Sequence, residues 1–222
     1  MTGIRIWARR HEHARRDSML WERWSSEWRL KAALSALLTV AFWLVYYWAE
    51  RRPVAHVLIV PASALDRALP LVPVAAWIYL SQFATAPLIL CLAASRRAVL
   101  AVAAGVALMA SFSFLAYFLL PTTIDRAVAA TSTDAAYGLV VGWDQPRNAC
   151  PSLHAGFAIF LSACAWALSR GFRHRAAGVA AFWLWALAVL LSTLLIRQHV
   201  AIDLAAGAVV GAFSFWSIRS QL

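Results

Sequence analysis

Charge is scarce in this chain of 222 residues: 14% are charged, and Asp and Glu together number only 10. A soluble domain is about a quarter charged and about half apolar, whereas 63% of this chain is apolar. The shortfall excludes an ordinary soluble domain and predicts an all-α, polytopic membrane protein of one domain. Cysteine is scarce as well. Cys91, Cys150 and Cys164 form an odd set without framework spacing, which excludes a disulfide-stapled scaffold. Cys91 and Cys164 sit inside apolar runs and read as small core residues. Cys150 adjoins a polar stretch and reads as a packing residue more readily than as a reactive thiol. A Gly-rich phosphate loop is missing, which excludes nucleotide hydrolysis of that kind. No internal repeat or low-complexity linker divides the chain.

The lack of acidic residues leaves a net charge of +10. Its basic residues cluster in short loops between apolar runs, so they read as membrane orientation signals and no nucleic-acid partner is expected. The 12 Trp fit aromatic belts at the two membrane interfaces. Residues 1–29 form a basic N-terminal segment in which Trp21, Trp24 and Trp28 recur on one helical face, as in an amphipathic helix lying on a membrane surface. It is too long for the n-region of a signal peptide and is expected to stay uncleaved. Residues 30–222 form the membrane domain. Six apolar runs, 30–49, 69–93, 98–120, 152–169, 176–196 and 200–218, each approach the ~20 residues that cross a bilayer as a helix. The predicted fold is a six-transmembrane-helix bundle.

With the N-terminus inside, 14 of the 20 Lys and Arg fall on the inner side and six on the outer. The expected protein is therefore multi-pass in the plasma (inner) membrane, with both termini cytoplasmic. Residues 121–151 make the longest loop between runs, on the outer side, and read as a lid or wall over a site.

Two stretches do not belong in lipid, and both fall on that outer side. Asn148-Ala149-Cys150-Pro151-Ser152-Leu153-His154 opens the fourth run, and Arg197-Gln198-His199-Val200-Ala201-Ile202-Asp203 opens the sixth. His199 and Asp203 are one helical turn apart, about 6 Å along the axis. Asp203 can fix the tautomer of His199 and leave its other nitrogen basic. Gly207 and Gly211 continue the same stripe as a small-xxx-small pattern, which turns this face into the bundle. Pro151 and Ser152 spell a helix start, placing His154 in a first turn whose backbone N–H groups suit a phosphate. Arg126 and Arg197 add guanidinium groups that can hold phosphoryl oxygens. The set fits phosphoryl chemistry in which one His attacks phosphorus and the other protonates the leaving oxygen. A buried polar pair that only joins helices, or a His/His/Asp metal site, are the rival readings. The nearby arginines oppose a cation, and neither metal nor cofactor is expected.

Pro151-Ser152-Leu153-His154 and His199-Val200-Ala201-Ile202-Asp203 resemble the second and third motifs of the type 2 phosphatidic acid phosphatase superfamily, Pro-Ser-Gly-His and a terminal His-x-x-x-Asp. The Leu variant preceded by Asn148 looks most like the branch that includes inositol phosphorylceramide synthases. Sphingomyelin synthases share a similar triad. The likeness spans roughly residues 66–218, with Pro70, Pro73 and Tyr79 on the second run. It implies six spans, a His199 nucleophile forming a phosphohistidine, Asp203 orienting it, and His154 as general acid. Ser152, with backbone amides, is implied to bind phosphate. The pattern departs in two places. The family's first motif, Lys then six residues then Arg-Pro, has Arg126 in its Arg slot, but Ala127 follows and Leu119 fills the Lys slot. The third motif opens Ser-Arg, and here Ser192 is followed by Thr193. The resemblance implies a lipid phosphatase acting on a lipid phosphate or diphosphate among membrane lipids. A lipid phosphotransferase passing a phospho-headgroup to a lipid alcohol is the alternative, and a non-catalytic membrane component or transporter the second.

Overall fold

A computed structural model describes residues 21–125, 132–143 and 147–222. It is 75% helical with 3% strand. Helix α1 spans Trp28–Arg51 and stops where Arg52 turns extended, as the residue before Pro53 must. One face packs on the bundle through Phe42, Val45 and Tyr46, and the other leaves Leu37, Val40, Leu44 and Trp48 exposed, as befits a helix at the lipid boundary. Two-residue strand β1 (Leu58–Ile59) and short helix α2 (Ala64–Ala68) follow. Ser63 caps α2 through a reciprocal box with Asp66.

The second apolar run is broken. A 3-10 turn at Pro73–Ala75 leads into α3 (Ala76–Leu80) and then α4 (Gln82–Leu92), with Ser81 between them. Together these pieces still make one helical stretch of 20 residues, Pro73–Leu92, in keeping with the apolar run at 69–93. Hydroxyls explain the break: Ser81 Oγ donates to the Ile78 carbonyl at 2.6 Å, and Thr85 Oγ1 donates to that of Ser81 at 3.1 Å. Pro87 inside α4 removes one more ladder donor.

Helix α5 (Arg96–Leu119), capped by Ser95, leads to strand β2 (Thr122–Thr123), which pairs in parallel with β1. Thr122 also bridges to Asn148, so three extended pieces roof one end of the bundle. Helix α6 (Ala135–Trp143) lies between the third and fourth apolar runs. Its buried Ala136, Tyr137 and Val140 pack on Ala75, Ala76, Tyr79 and Ile196.

Three helices complete the core: α7 (Leu153–Leu168), α8 (Arg175–Leu195) and α9 (Ala201–Ile218). Helix α7 touches α4, α5, α8 and α9. Glycine sets the α7–α9 distance. A Cβ at Gly207 would stand 2.0 Å from the Ser152 carbonyl oxygen, and one at Gly211 would stand 2.2 Å from that of Gly156. The small-xxx-small stripe thus faces α7.

Among the described residues, five helical stretches are long and apolar enough to cross a membrane: Trp28–Arg51, Pro73–Leu92, Arg96–Leu119, Arg175–Leu195 and Ala201–Gln221. The fourth run, α7, has 16 residues and falls short of that length. It is instead the most enclosed helix, with Phe160, Leu161 and Cys164 fully buried.

Candidate active site

Both polar stretches meet at one end of the bundle. Ser152 is the N-cap of α7, its Oγ accepting from the Ala155 N–H at 3.3 Å. Its own N–H donates to the Asp203 carbonyl at 3.0 Å, which ties the two helix starts together. The extended lead-in is held from three sides. The Ala149 N–H donates to the Thr122 carbonyl, the Cys150 N–H to Thr122 Oγ1, and the Tyr117 hydroxyl to the Pro151 carbonyl. Burial, with the Asp203 carboxylate adding to it, pushes the Cys150 thiol up, away from a reactive thiolate.

His154 is half-buried in the first turn of α7. The broken second run reaches it twice. Tyr79 stacks on its imidazole with ring centroids 3.9 Å apart and planes at 26°. Gln82 Nε2 donates to its carbonyl at 2.8 Å. The ring of His199 lies across from it, centroid to centroid 5.8 Å and tilted 52°.

His199 follows a tight helix end. Helix α8 closes with the Arg197 N–H on the Leu194 carbonyl and the Gln198 N–H on that of Thr193. That pattern is a Schellman motif, whose left-handed position is normally glycine. Here Arg197 occupies it, with φ 57°. The chain then leads through His199 into α9. His199 Nδ1 lies 3.4 Å from Asp203 Oδ2, one turn on. That separation is long for a hydrogen bond, but it sets the carboxylate against the Nδ1 side of the ring. Asp203 Oδ2 also accepts from the Val200 N–H at 3.2 Å. Asp203 is fully buried, and His199 is 6% exposed.

The predicted phosphate-binding residues are distributed unevenly. Ser152 is at the centre. Arg197 is adjacent, but its two terminal nitrogens donate to the Asp66 and Leu69 carbonyls, leaving its Nε buried and without a partner. Arg126 lies outside the described residues. Leu119 and Thr193, in the Lys and Arg slots of the resembling motifs, cannot donate to phosphate as those residues do, and Thr193 Oγ1 already donates to Leu190.

Among the described residues, six buried side-chain polar atoms lack a hydrogen-bond partner. Five belong to Asn148, Arg197, Gln198, His199 and Asp203. Native proteins leave few such atoms, and here they concentrate in the two polar stretches. Among the described residues no three His, Cys, Asp or Glu side chains converge to hold a metal ion.

Sequence reasoning missed Asp66 and Gln82 and gave Tyr79 no role. Ser63-Ala64-Leu65-Asp66 has the spacing of a capping box, a signal that could have marked Asp66 as structured.

Fold and site together define a helical membrane protein carrying a paired-histidine site at one end. The family model of the PAP2 superfamily matches residues 96–222, and the chain belongs to that superfamily. Its members are phosphatases or phosphotransferases. Comparison with curated proteins and with solved structures gives no match.

Proposed function

We propose that this protein is a lipid phosphate phosphatase working through a phosphohistidine, with its site on the outer face of the plasma (inner) membrane. The observation that carries the proposal is the facing pair of imidazoles, 5.8 Å apart, with a buried carboxylate 3.4 Å behind one of them. Asp203 faces Nδ1 of His199, which leaves Nε2 as the attacking atom. As the new nitrogen–phosphorus bond forms, the phosphorus–oxygen bond to the lipid breaks. His154, more exposed and at a helix N-terminus, gives the leaving oxygen its proton. Water then attacks the phosphohistidine, His154 takes back a proton, and inorganic phosphate leaves. Ser152, the first-turn amides of α7 and the Arg197 guanidinium offset charge on the phosphoryl oxygens.

Release of inorganic phosphate from dioctanoyl phosphatidic acid by the purified protein, in the presence of chelator, tests the reading. The expected result is turnover that His199→Ala abolishes, with phosphorylated His199 found on rapid quenching of the wild type and missing from His199→Ala. Activity lost to chelator and restored by a divalent cation overturns it in favour of a metal site. Phosphoryl or headgroup transfer to added diacylglycerol or ceramide, outpacing hydrolysis, makes the protein a phosphotransferase instead.

A further inference from the structure

We infer that Asp66, on α2 and outside the segment matched to the family, is a positioning residue for His199. This rests on the role of His199 as nucleophile given above. His199 is the midpoint of the stretch 197–201, and Asp66 meets both ends, one through its main-chain carbonyl and the other through its carboxylate. Two residues before His199, the Arg197 guanidinium donates to the Asp66 and Leu69 carbonyls. Two residues after it, the Ala201 N–H donates to Asp66 Oδ1 at 2.9 Å. The anchor is itself fixed: Asp66 Oδ2 accepts from the Ser63 N–H at 2.7 Å, and the Asp66 N–H donates to Ser63 Oγ at 3.2 Å. Asp66 is 3% exposed. Burial opposes its charge, yet the Ser63 hydroxyl, the Ser63 and Ala201 amides and the Arg197 guanidinium hold its carboxyl below the usual range.

The stretch needs an outside anchor for two reasons. Arg197 sits at φ 57°, a left-handed conformation that a non-glycine residue keeps only if its surroundings hold it. The guanidinium contacts to α2 supply that hold. In addition, His199 Nδ1 makes only the long contact to Asp203 and no hydrogen bond among the described residues. Ring direction therefore depends on how the flanks are held as well as on Asp203.

The test uses the full chain with Asp66→Ala and Asp66→Asn, assayed on dioctanoyl phosphatidic acid. A misplacement of ~1 Å costs roughly 10²-fold in rate, so kcat in Asp66→Ala is expected to fall by about that factor with KM little changed. Asp66→Asn keeps an oxygen for the Ala201 N–H and is expected to recover part of the loss. A rise in KM at unchanged kcat overturns the proposal, because it marks a substrate contact. A second readout does not need turnover: the rate of diethyl pyrocarbonate labelling at each histidine, read by mass spectrometry. His199 is expected to label several-fold faster in both variants, with the exposed His56 and His174 unchanged as controls. Should Asp66→Ala label faster at every histidine, it has unfolded, and Asp66→Asn decides: wild-type labelling at His199 there overturns the proposal. A wild-type protein that releases no phosphate, while His199 labelling still accelerates in the variants, refutes the phosphatase reading and leaves the positioning role standing.

Discussion

Tyr79 and His154 lie ring on ring, 3.9 Å between centroids. A face-on aromatic limits where an imidazole can swing, and an acid contributes to rate only while it points at its target. Tyr79→Phe keeps the stacked face and is expected to retain kcat within about twofold, whereas Tyr79→Ala is expected to lose at least about tenfold, part of the ~10²–10⁴-fold a positioned acid supplies. Single-turnover release of the leaving alcohol checks it, and equal rates in the two variants would remove Tyr79 from the site. His154, His199 and Asp203 were legible in the sequence because polar residues are costly inside apolar runs and the i, i+4 spacing fixes a shared helical face. Tyr79 was not legible as a partner, since an aromatic in an apolar run reads the same whether it faces lipid or a histidine. Asp66 was hidden for another reason. Its contacts to Arg197 and Ala201 cross 131 and 135 positions, and no local pattern encodes a contact of that range.

Helix α9 can come so near α7 only because Gly207 and Gly211 present no side chain. Gly207→Ala would drive a methyl into the Ser152 carbonyl, and backbone cannot step aside as a side chain can. Overpacking of this kind costs about 1–3 kcal/mol, and at Gly207 it also displaces the cap that starts α7. A drop in unfolding temperature together with a loss of kcat is expected for Gly207→Ala. Gly178→Ala on α8 is the control, since nothing lies within 4 Å of a Cβ there, and it is expected to be neutral or mildly stabilising. This packing could be read from glycines four apart, unlike the break at Ser81, which depends on hydroxyls bonding back to the helix instead of on hydropathy. The capping of α9 by Asp66 adds a pH signature. Its carboxyl is held below the ordinary value, so its stabilisation is complete above the unfolded pKa of about 3.9 and is lost as pH falls through the lower folded value. Unfolding temperatures of wild type and Asp66→Asn should differ at neutral pH and converge in acid; a gap that widens in acid contradicts this assignment.

At the scale of the whole molecule, the two ends of α7 are finished differently. The end carrying His154 sits under the roof of β1, β2 and the Asn148 bridge. The other end is closed by Arg23, which donates to the last carbonyls of α4 and α7, Leu92 at 3.4 Å and Leu168 at 2.6 Å, and lies 4.5 Å over Phe172. A cation at two helix C-termini is electrostatically favourable, so Arg23 ties the start of the described chain to the end away from the histidines. Helix α7, with 16 residues, is about 24 Å long, short of the ~30 Å hydrocarbon layer. If its Arg23 end sits at one membrane surface, the histidines lie recessed below the other. Recession would let a substrate enter sideways from the bilayer, and it makes the sidedness of the two ends the decisive global measurement. In a background with Cys91 and Cys150 replaced, Thr133→Cys beside α6 should react with an impermeant maleimide on intact cells. Arg173→Cys, in the exposed turn before α8, should react only after permeabilisation. The reverse pattern would put the paired histidines on the cytoplasmic face and overturn the orientation argued from the basic loops.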